Sequence, residues 1–243
     1  MFNAVRLNKA SQQIISQIRG LILEGKLSPG DRLPPENALV DQFQVSKQTL
    51  REALRALEYM GLIEIRKGVT GGPHVIEVDP GVAKEILTNY LFFKNLTIRN
   101  LSEIRKLIEP WAAGIAARSM GKEDLAGMAA LIEASKKETP QEYSADSSRN
   151  DLDFHRVIAN STNNPILVLM VDFVETLMGD LKKLMRPDVG FSVAVLKAHE
   201  RIYAAIKRKD EKKAASEMYD HVAEVEERLA KLEEKVGLWR GMK

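Results

Sequence analysis

The stretch that decides the fold of this chain is "VSKQTLREALRALEYMGLIEIRKG", residues 45–68. Its first half carries two side-chain patterns with helical spacing. Basic residues recur every four positions and so share one helix face, whereas leucines occupy the opposite face. The basic residues are Lys47, Arg51 and Arg55, and the leucines are Leu50, Leu54 and Leu57. The pattern predicts an amphipathic helix with a buried leucine side and an exposed basic stripe.

The segments on either side of this helix complete a small domain. Residues 8–25 have apolar residues at helical spacing, and a short second helix is predicted before Ser46, which suits the N-cap of the basic helix. Gly61 ends that helix, and "LIEIR" and "HVIEV" then predict a hairpin whose strands are separated by Gly71-Gly72-Pro73. Three helices and a hairpin in this order are typical of a winged helix-turn-helix, whose basic helix can enter the major groove of DNA. The tip "RKGVTGG" is basic and glycine-rich, which allows a close approach to the DNA backbone or minor groove.

Composition limits the other possibilities. The chain has 243 residues, of which 44% are apolar, and it has no cysteine, so disulfides, thiolate metal sites and cysteine nucleophiles are excluded. Its formal charge of +2 lies wholly in residues 1–78, which hold ten Lys/Arg and eight Asp/Glu. No signal peptide or membrane-length apolar run is present, so we expect a soluble, cytoplasmic protein with no membrane partner. Phosphate-binding glycine loops and nucleophile elbows are also absent from the sequence.

The sequence changes in character after "VDPG". From about Gly81 onwards we find helical patterns and no convincing strand. We therefore predict a mainly α protein with a winged helix-turn-helix domain at residues 1–78 and an all-helical domain at residues 79–243. The helical patterns span residues 80–94, 100–119, 122–137, 144–160, 164–184, 192–208 and 211–235.

Histidines in the predicted helical domain suggest a metal site. Asp151 and His155 are four residues apart and share a helix face, so both can bind one ion, whereas Asp153 points elsewhere. His199 and His221 lie in two other helices, among apolar residues. One carboxylate and three imidazoles form a ligand set suited to Zn, Ni, Mn or Fe. From the residues alone, three histidines that are simply hydrogen-bonded in the core explain the pattern equally well.

The N-terminal region resembles the winged helix-turn-helix of GntR-type bacterial transcription regulators. The motifs G-D-x-L-P-x-E, V-S-x-x-T-x-R-x-A-L-x-x-L and G-L-I carry this resemblance, which spans about residues 8–78. Lys47 stands where arginine is usual, and because lysine lacks the bidentate fork of arginine the operator sequence is expected to differ. The resemblance implies that the following residues face or approach DNA: Arg32, Glu36, Ser46, Lys47, Thr49, Arg51, Arg55, Lys67 and Gly68.

The C-terminal region is similar to the FCD effector domain of the FadR-like GntR subfamily. The segments "LSEIRKLIEPWAAGIAA", "DLDFHRVIANSTNNPIL" and "HERIYAAIKRKDEKKAASEMYDHV" carry this similarity, over about residues 81–230. It implies a divalent metal, and it places Arg105 at the effector pocket, where a guanidinium can pair with a carboxylate. Asn164 matches a turn position and is expected to be structural. The metal ligands that the similarity implies are Asp151, His155, His199 and His221.

These features together predict a homodimeric transcriptional regulator. Two winged domains would bind a pseudo-palindromic operator, and a small organic acid at the metal site would change operator affinity. Repression is the expected default. Two alternatives stay open: a metal-dependent enzyme that uses the Asp/His₃ set to activate water, and a DNA-binding protein whose helical domain is purely structural.

Overall fold

The computed structural model of the chain is mainly helical. It describes residues 9–68, 71–91, 94, 96–137 and 145–236. Within these ranges a single antiparallel hairpin accompanies the helices, which confirms the predicted fold class. Two compact units divide between Asn89 and Tyr90. The domain boundary placed after residue 78 stays a prediction. No described helix has both the length and the apolar character needed to cross a membrane.

The first unit has the element order of a winged helix. Its core is built from apolar residues of every element through the hairpin: Ile14, Ile18, Leu33, Leu39, Leu50, Ala53, Leu54, Leu57, Ile63 and Val75. The elements are α1 (Lys9–Leu23), α2 (Glu36–Phe43), α3 (Lys47–Tyr59), β1 (Ile63–Arg66) and β2 (Gly72–Val75). Helix α4 (Pro80–Leu91) follows, and the division between the units falls inside it. The predicted starting residue 8 and residues 92 and 93 lie outside the described residues.

Helix α3 begins and ends where the sequence predicts. The Ser46 hydroxyl accepts a hydrogen bond from the Thr49 backbone N–H at 3.1 Å and so caps the first turn. The helix stops before Gly61, whose φ of 70° is a left-handed conformation that favours glycine. A Cβ at Gly61 would also lie 3.2 Å from the side chain of Val82. Both the N-cap and the stop are therefore confirmed.

The hairpin is confirmed, with one correction to its second strand. That strand spans Gly72–Val75 and not residues 74–78, so Gly72 and Pro73 belong to the sheet and pair with Arg66 and Ile65, whereas residues 76–78 lie outside it. A tight approach at the preceding residue explains the shift, because a Cβ at Gly71 would lie 2.4 Å from the Arg66 carbonyl oxygen. The predicted tip includes residues 69 and 70, which are outside the described residues.

The second unit consists of helices throughout its described part. They are α5 (Ile98–Ser119), α6 (Lys122–Lys137), α7 (Ala145–Asn160), α8 (Pro165–Met185), α9 (Val189–Lys207) and α10 (Glu211–Val236). Apolar residues of α5, α6, α7, α9 and α10 form a shared core that includes Ala113, Met128, Phe154, Ile202 and Met218. Each helix matches a predicted one within three residues at either end, apart from the predicted starting residue 144, which is not described. Asn164 caps α8 by accepting hydrogen bonds from the Ile166 and Leu167 N–H groups, which confirms its structural role.

Candidate functional site

The second unit brings the four predicted metal ligands together in its interior. Asp151 and His155 lie one turn apart on α7, His199 comes from α9 and His221 from α10. All four side chains are buried, and each offers a ligand atom within 4.8 Å of the others. Three separate helices therefore converge on one point through groups that bind metals, at positions where apolar side chains would pack more readily.

The distances inside this cluster suit a common ion. His155 Nε2 lies 3.3 Å from His221 Nε2, and Asp151 Oδ1 lies 3.3 Å from His199 Nε2. Neighbouring ligands of a tetrahedral zinc ion stand about 3.3 Å apart, given metal–ligand bonds of roughly 2.0–2.1 Å. Asp151 Oδ1 and His199 Nε2 are buried without a hydrogen-bond partner among the described residues. Buried polar atoms without a partner are costly, and a bound cation would satisfy both.

The ionisation states also suit a metal ligand set. Burial lowers the pKa of His199 to about 3, against the attraction of Asp151. Burial lowers the pKa of His221 well below its usual value, and the neighbouring His199 lowers it further. Burial opposes ionisation of Asp151, but Lys182 and His199 hold its pKa below the usual range. Neutral imidazoles and an ionised carboxylate are the forms that bind metals.

Glu109 of α5 orients one of the imidazoles. Its Oε2 lies 2.5 Å from His155 Nδ1 in a buried ion-pair contact. A carboxylate at Nδ1 favours the proton on that nitrogen and leaves the Nε2 lone pair facing the cluster. Burial acts to lower the pKa of His155, but the attraction of Glu109 and Glu175 outweighs burial, so this pKa is raised. The Glu109–His155 arrangement is the carboxylate–histidine pairing found behind many metal ligands.

Arg105 lies beside the cluster and is fully enclosed. Its Nε is 2.6 Å from both Glu109 Oε1 and Glu175 Oε1, and one terminal nitrogen is 3.3 Å from His155 Nε2. The other terminal nitrogen has no hydrogen-bond partner among the described residues. Arg105 thus lies next to the proposed metal ligands, and its effector-binding role stays a prediction.

A second set of potential ligands, Glu109, His155 and Glu175, overlaps the first. Arg105 decides between the two sets, because its guanidinium already occupies the space between Glu109 and Glu175. A metal ion there would face an adjacent fixed positive charge and would have to displace it. The set that contains Asp151 is therefore the better candidate metal centre.

Three charged residues of this site were not predicted from the sequence. They are Glu109, Glu175 and Lys182, and Lys182 Nζ forms an ion pair with Asp151 Oδ2. Spacing held a partial signal: Glu109 is four residues after Arg105, and Glu175 and Lys182 are seven apart on the apolar helix α8. Asp153, by contrast, pairs with Arg156 at 3.0 Å and lies away from the cluster, as predicted.

The first unit presents the predicted basic stripe to solvent. Lys47, Arg51 and Arg55 are exposed along α3, while the leucines behind them are buried. Arg51 Nε donates to Glu36 Oε2 at 3.0 Å, and these two residues help to line a surface cleft of about 200 Å³. Arg51 and Glu36 are therefore adjacent on the surface, on α3 and α2 of the helix-turn-helix.

Other residues predicted to face DNA have structural partners. Ser46 caps α3, and its hydroxyl lies 2.9 Å from the Thr49 hydroxyl. Arg32 pairs with His74 in an isolated β-bridge, and its guanidinium donates to the Gly71 carbonyl at 2.5 Å. Arg32 therefore ties the segment before α2 to the hairpin.

The start of the hairpin loop is open to solvent. Lys67 and Gly68 directly follow β1 and are exposed, and Gly68 has a φ of 106°, which favours glycine. His74 lies in β2, is buried, and has its Nδ1 2.9 Å from the Gly72 carbonyl oxygen. That histidine belongs to the hairpin and not to the metal cluster.

Both units of the chain match known protein families. Residues 10–70 match the family described as bacterial regulatory proteins, gntR family, and residues 100–224 match the FCD domain. The chain is 32% identical over 216 residues to the HTH-type transcriptional regulator LutR of Bacillus subtilis, covering 86% of this chain and 96% of that protein. It is 28% identical over 236 residues to the Uxu operon transcriptional regulator of Escherichia coli, and this match covers 94% of this chain and 90% of that protein.

A solved structure agrees with this assignment at the level of the fold. The GntR protein of Streptococcus agalactiae aligns with a TM-score of 0.64 at 22% identity, covering 89% of this chain and 99% of that one. Both sequence matches run through the helix-turn-helix and the helical unit alike, and the relatives are named as transcriptional regulators. The chain belongs to the GntR family of bacterial regulatory proteins, carries an FCD domain, and is a transcriptional regulator and not an enzyme.

Proposed function

We propose that this regulator holds a divalent metal ion on Asp151, His155, His199 and His221, and that a small carboxylic acid beside that ion controls operator binding. The convergence of four buried ligand atoms within 4.8 Å carries the proposal. The residues fit a metal because Asp151 Oδ1 and His199 Nε2 have no hydrogen-bond partner among the described residues. Three nitrogens and one oxygen suit zinc, nickel, manganese or iron.

The acid would bind at open positions of the ion, which acts as a Lewis acid toward its carboxylate or hydroxyl oxygens. Arg105 supports this location because one of its terminal nitrogens has no partner among the described residues and lies in the same buried region. Burial strengthens the attraction between a guanidinium and a carboxylate, since water does not compete for either group. Arg105 is therefore the effector-binding residue of this proposal.

The DNA-binding part of the proposal rests on the exposed face of α3. Lys47, Arg51 and Arg55 would contact bases or phosphates, and Lys67-Gly68 would contact the backbone from the hairpin. Arg32, Glu36, Ser46 and Thr49 would position these groups. A homodimer would place two such faces on a pseudo-palindromic operator, and acid binding would release repression by shifting the population of dimer geometries.

The first test is metal content. Protein purified without a histidine tag is expected to hold about one divalent ion per chain, and His155→Ala far less. His74→Ala is the matched control, because it removes a buried histidine outside the cluster. Absence of metal from the wild type, even after incubation with zinc, nickel or manganese, would return these histidines to a structural role in the core.

The second test concerns control of DNA binding. A duplex selected from a random pool by the metal-loaded protein serves as the operator, and small carboxylates are screened for changes in its affinity. We expect an active acid to lose its effect in His155→Ala and to keep it in Arg118→Ala, which removes an exposed charge of the helical unit. An acid that acts equally on both variants would show that effector control does not pass through the metal centre.

A further inference from the structure

Lys182 is a buried cation in direct contact with the proposed metal centre. Its Nζ forms an ion pair with Asp151 Oδ2, and both side chains are almost fully enclosed. The same ammonium lies 5.9 Å from the centre of the Phe191 ring. A fixed positive charge next to a cation site is unexpected, because it repels the metal ion that the other residues attract.

The two oxygens of Asp151 face different partners. Oδ2 pairs with Lys182, whereas Oδ1 lies 3.3 Å from His199 Nε2 and 3.8 Å from His155 Nε2. Lys182 therefore holds the carboxylate so that one oxygen points at the histidines. A carboxylate held in this way binds a metal through a single oxygen and leaves coordination positions for another ligand.

Among the described residues, the charged groups in contact at the centre balance when an anion accompanies the metal ion. These groups are three carboxylates, Glu109, Asp151 and Glu175, and two cations, Arg105 and Lys182. With neutral histidines this group has one net negative charge, which a divalent ion converts to one net positive charge. A buried net charge is unfavourable, and a ligand with one negative charge would neutralise it.

We propose that Lys182 selects the charge of the effector: it weakens metal binding and makes the loaded centre favour an acid with a single negative charge. This inference rests on the proposed function, because it assumes the metal and the acid. Lys182 positions the carboxylate of Asp151, and its charge determines which charge the bound acid must carry. A neutral ligand or a dianion would leave the enclosed group charged.

The two outer residues of the centre should then have opposite effects on metal affinity. Glu109 orients His155 and adds negative charge, so Glu109→Gln should weaken metal binding about 10- to 100-fold. Lys182→Met removes a repulsive charge and leaves Asp151 without this cation in the metal-free protein. These two charge effects act on the metal directly and should outweigh the loss of the orientation that Lys182 gives to Asp151, so the variant should bind metal about tenfold more tightly.

The metal arm of the experiment measures zinc affinity by competition with a chelator in the full-length protein. Lys183→Met is the matched control, because Lys183 is the next residue, is exposed and pairs with Asp180 at 2.9 Å. We expect unchanged affinity in that control and in the charge-retaining Lys182→Arg, and Lys182→Gln removes the charge in the case in which Lys182→Met fails to fold. Unchanged or weaker zinc binding by folded Lys182→Met would overturn the inference.

The acid arm compares three small probes: acetate, the neutral acetamide of the same size, and the larger dianion malonate. Zinc-loaded wild type is expected to gain thermal stability with acetate, little with acetamide, and less with malonate than with acetate at equal free zinc. Lys182→Met should need about tenfold more acetate for the same gain, whereas Lys183→Met should match the wild type.

The outcomes separate the two proposals. A wild type that binds no zinc contradicts the proposed function itself. A wild type that binds zinc and acetate, beside a Lys182→Met variant with the same affinities for both, contradicts only the role of Lys182. Equal responses to acetate and acetamide would likewise rule out selection by charge.

Discussion

Two arginine–glutamate pairs, one in each unit, show how differently this chain uses the same chemistry. Arg51 Nε lies 3.0 Å from Glu36 Oε2 on the winged-helix unit, where the side chains are 61% and 35% exposed. Arg105 Nε lies 2.6 Å from Glu109 Oε1 in the helical unit, where the side chains are 1% and 3% exposed. The partners are alike, but their access to water differs.

Exposure determines whether such a pair can be exchanged for another interaction. Water screens the surface pair, so Arg51 can leave Glu36 for a phosphate or a base at little cost. Water cannot replace either partner of the buried pair, so separating Arg105 from Glu109 would leave enclosed charges unpaired. The surface pair therefore suits a group that must change partners, and the buried pair suits a site that must keep its geometry.

The largest expected effect comes from the buried pair. Arg105→Met keeps much of the side-chain volume but leaves Glu109 and Glu175 without their shared cation. We expect it to lower the free energy of unfolding by about 3–5 kcal/mol, the usual loss when one partner of a buried ion pair is removed. Urea unfolding of the full-length protein measures this change.

A combined variant separates charge from packing. Glu109→Gln and Glu175→Gln added to Arg105→Met remove the unpaired charges, so much of the lost stability should return. If Arg105→Met lowers the free energy of unfolding by less than about 1 kcal/mol, the buried pair behaves like a surface pair and the contrast fails.

The next effect in size is a dependence on pH in the metal-free protein. Burial lowers the pKa of His199 from 6.5 to about 3. Between these two pH values His199 is protonated in the unfolded chain and neutral in the folded chain. Stability should therefore fall as the pH falls from 6 to 4, by roughly 2–3 kcal/mol from this group. His221, whose pKa is also lowered, acts in the same direction, and His155, whose pKa is raised, opposes them.

The measurement compares urea unfolding of the wild type and His199→Gln at several pH values in the presence of a chelator. The variant should show a smaller loss between pH 6 and pH 4, because it lacks one of the titrating groups. Parallel curves for the two proteins would mean that His199 is not kept neutral by its surroundings.

The sequence predicted the fold well because its signals are local. Ser46 and Gly61 mark the ends of α3 by the chemistry of a cap and of a left-handed residue, and neither depends on distant parts of the chain. The second strand begins two residues earlier than predicted, because its start depends on the close approach of Gly71 to Arg66 across the hairpin. That contact is not visible in a strand pattern.

The metal centre was predictable only in part for a related reason. Asp151 and His155 share a helix face by spacing, and the convergence of His199 and His221 came from the family resemblance. Lys182 could not be found in this way, because its role depends on which oxygen of Asp151 faces the histidines. Charged residues on an apolar helix are a signal, but their partners come from other helices.

The smallest effect on stability is expected at Arg51, together with a clear effect on DNA binding. Arg51→Ala should change the free energy of unfolding by less than about 0.5 kcal/mol, because a screened surface pair contributes little. It should weaken binding to the selected duplex by about 2 kcal/mol, or roughly thirtyfold.

Arg118→Ala is the matched control for Arg51→Ala, because Arg118 is also 61% exposed and lies 3.7 Å from Glu211, but belongs to the helical unit. We expect the control to preserve both stability and DNA affinity, since only Arg51 lies on the predicted DNA-binding face. Equal loss of DNA binding in both variants would indicate a general effect of net charge. A loss of several kcal/mol of stability in Arg51→Ala would show that its pair with Glu36 supports the fold, and such a pair could not be given up for DNA.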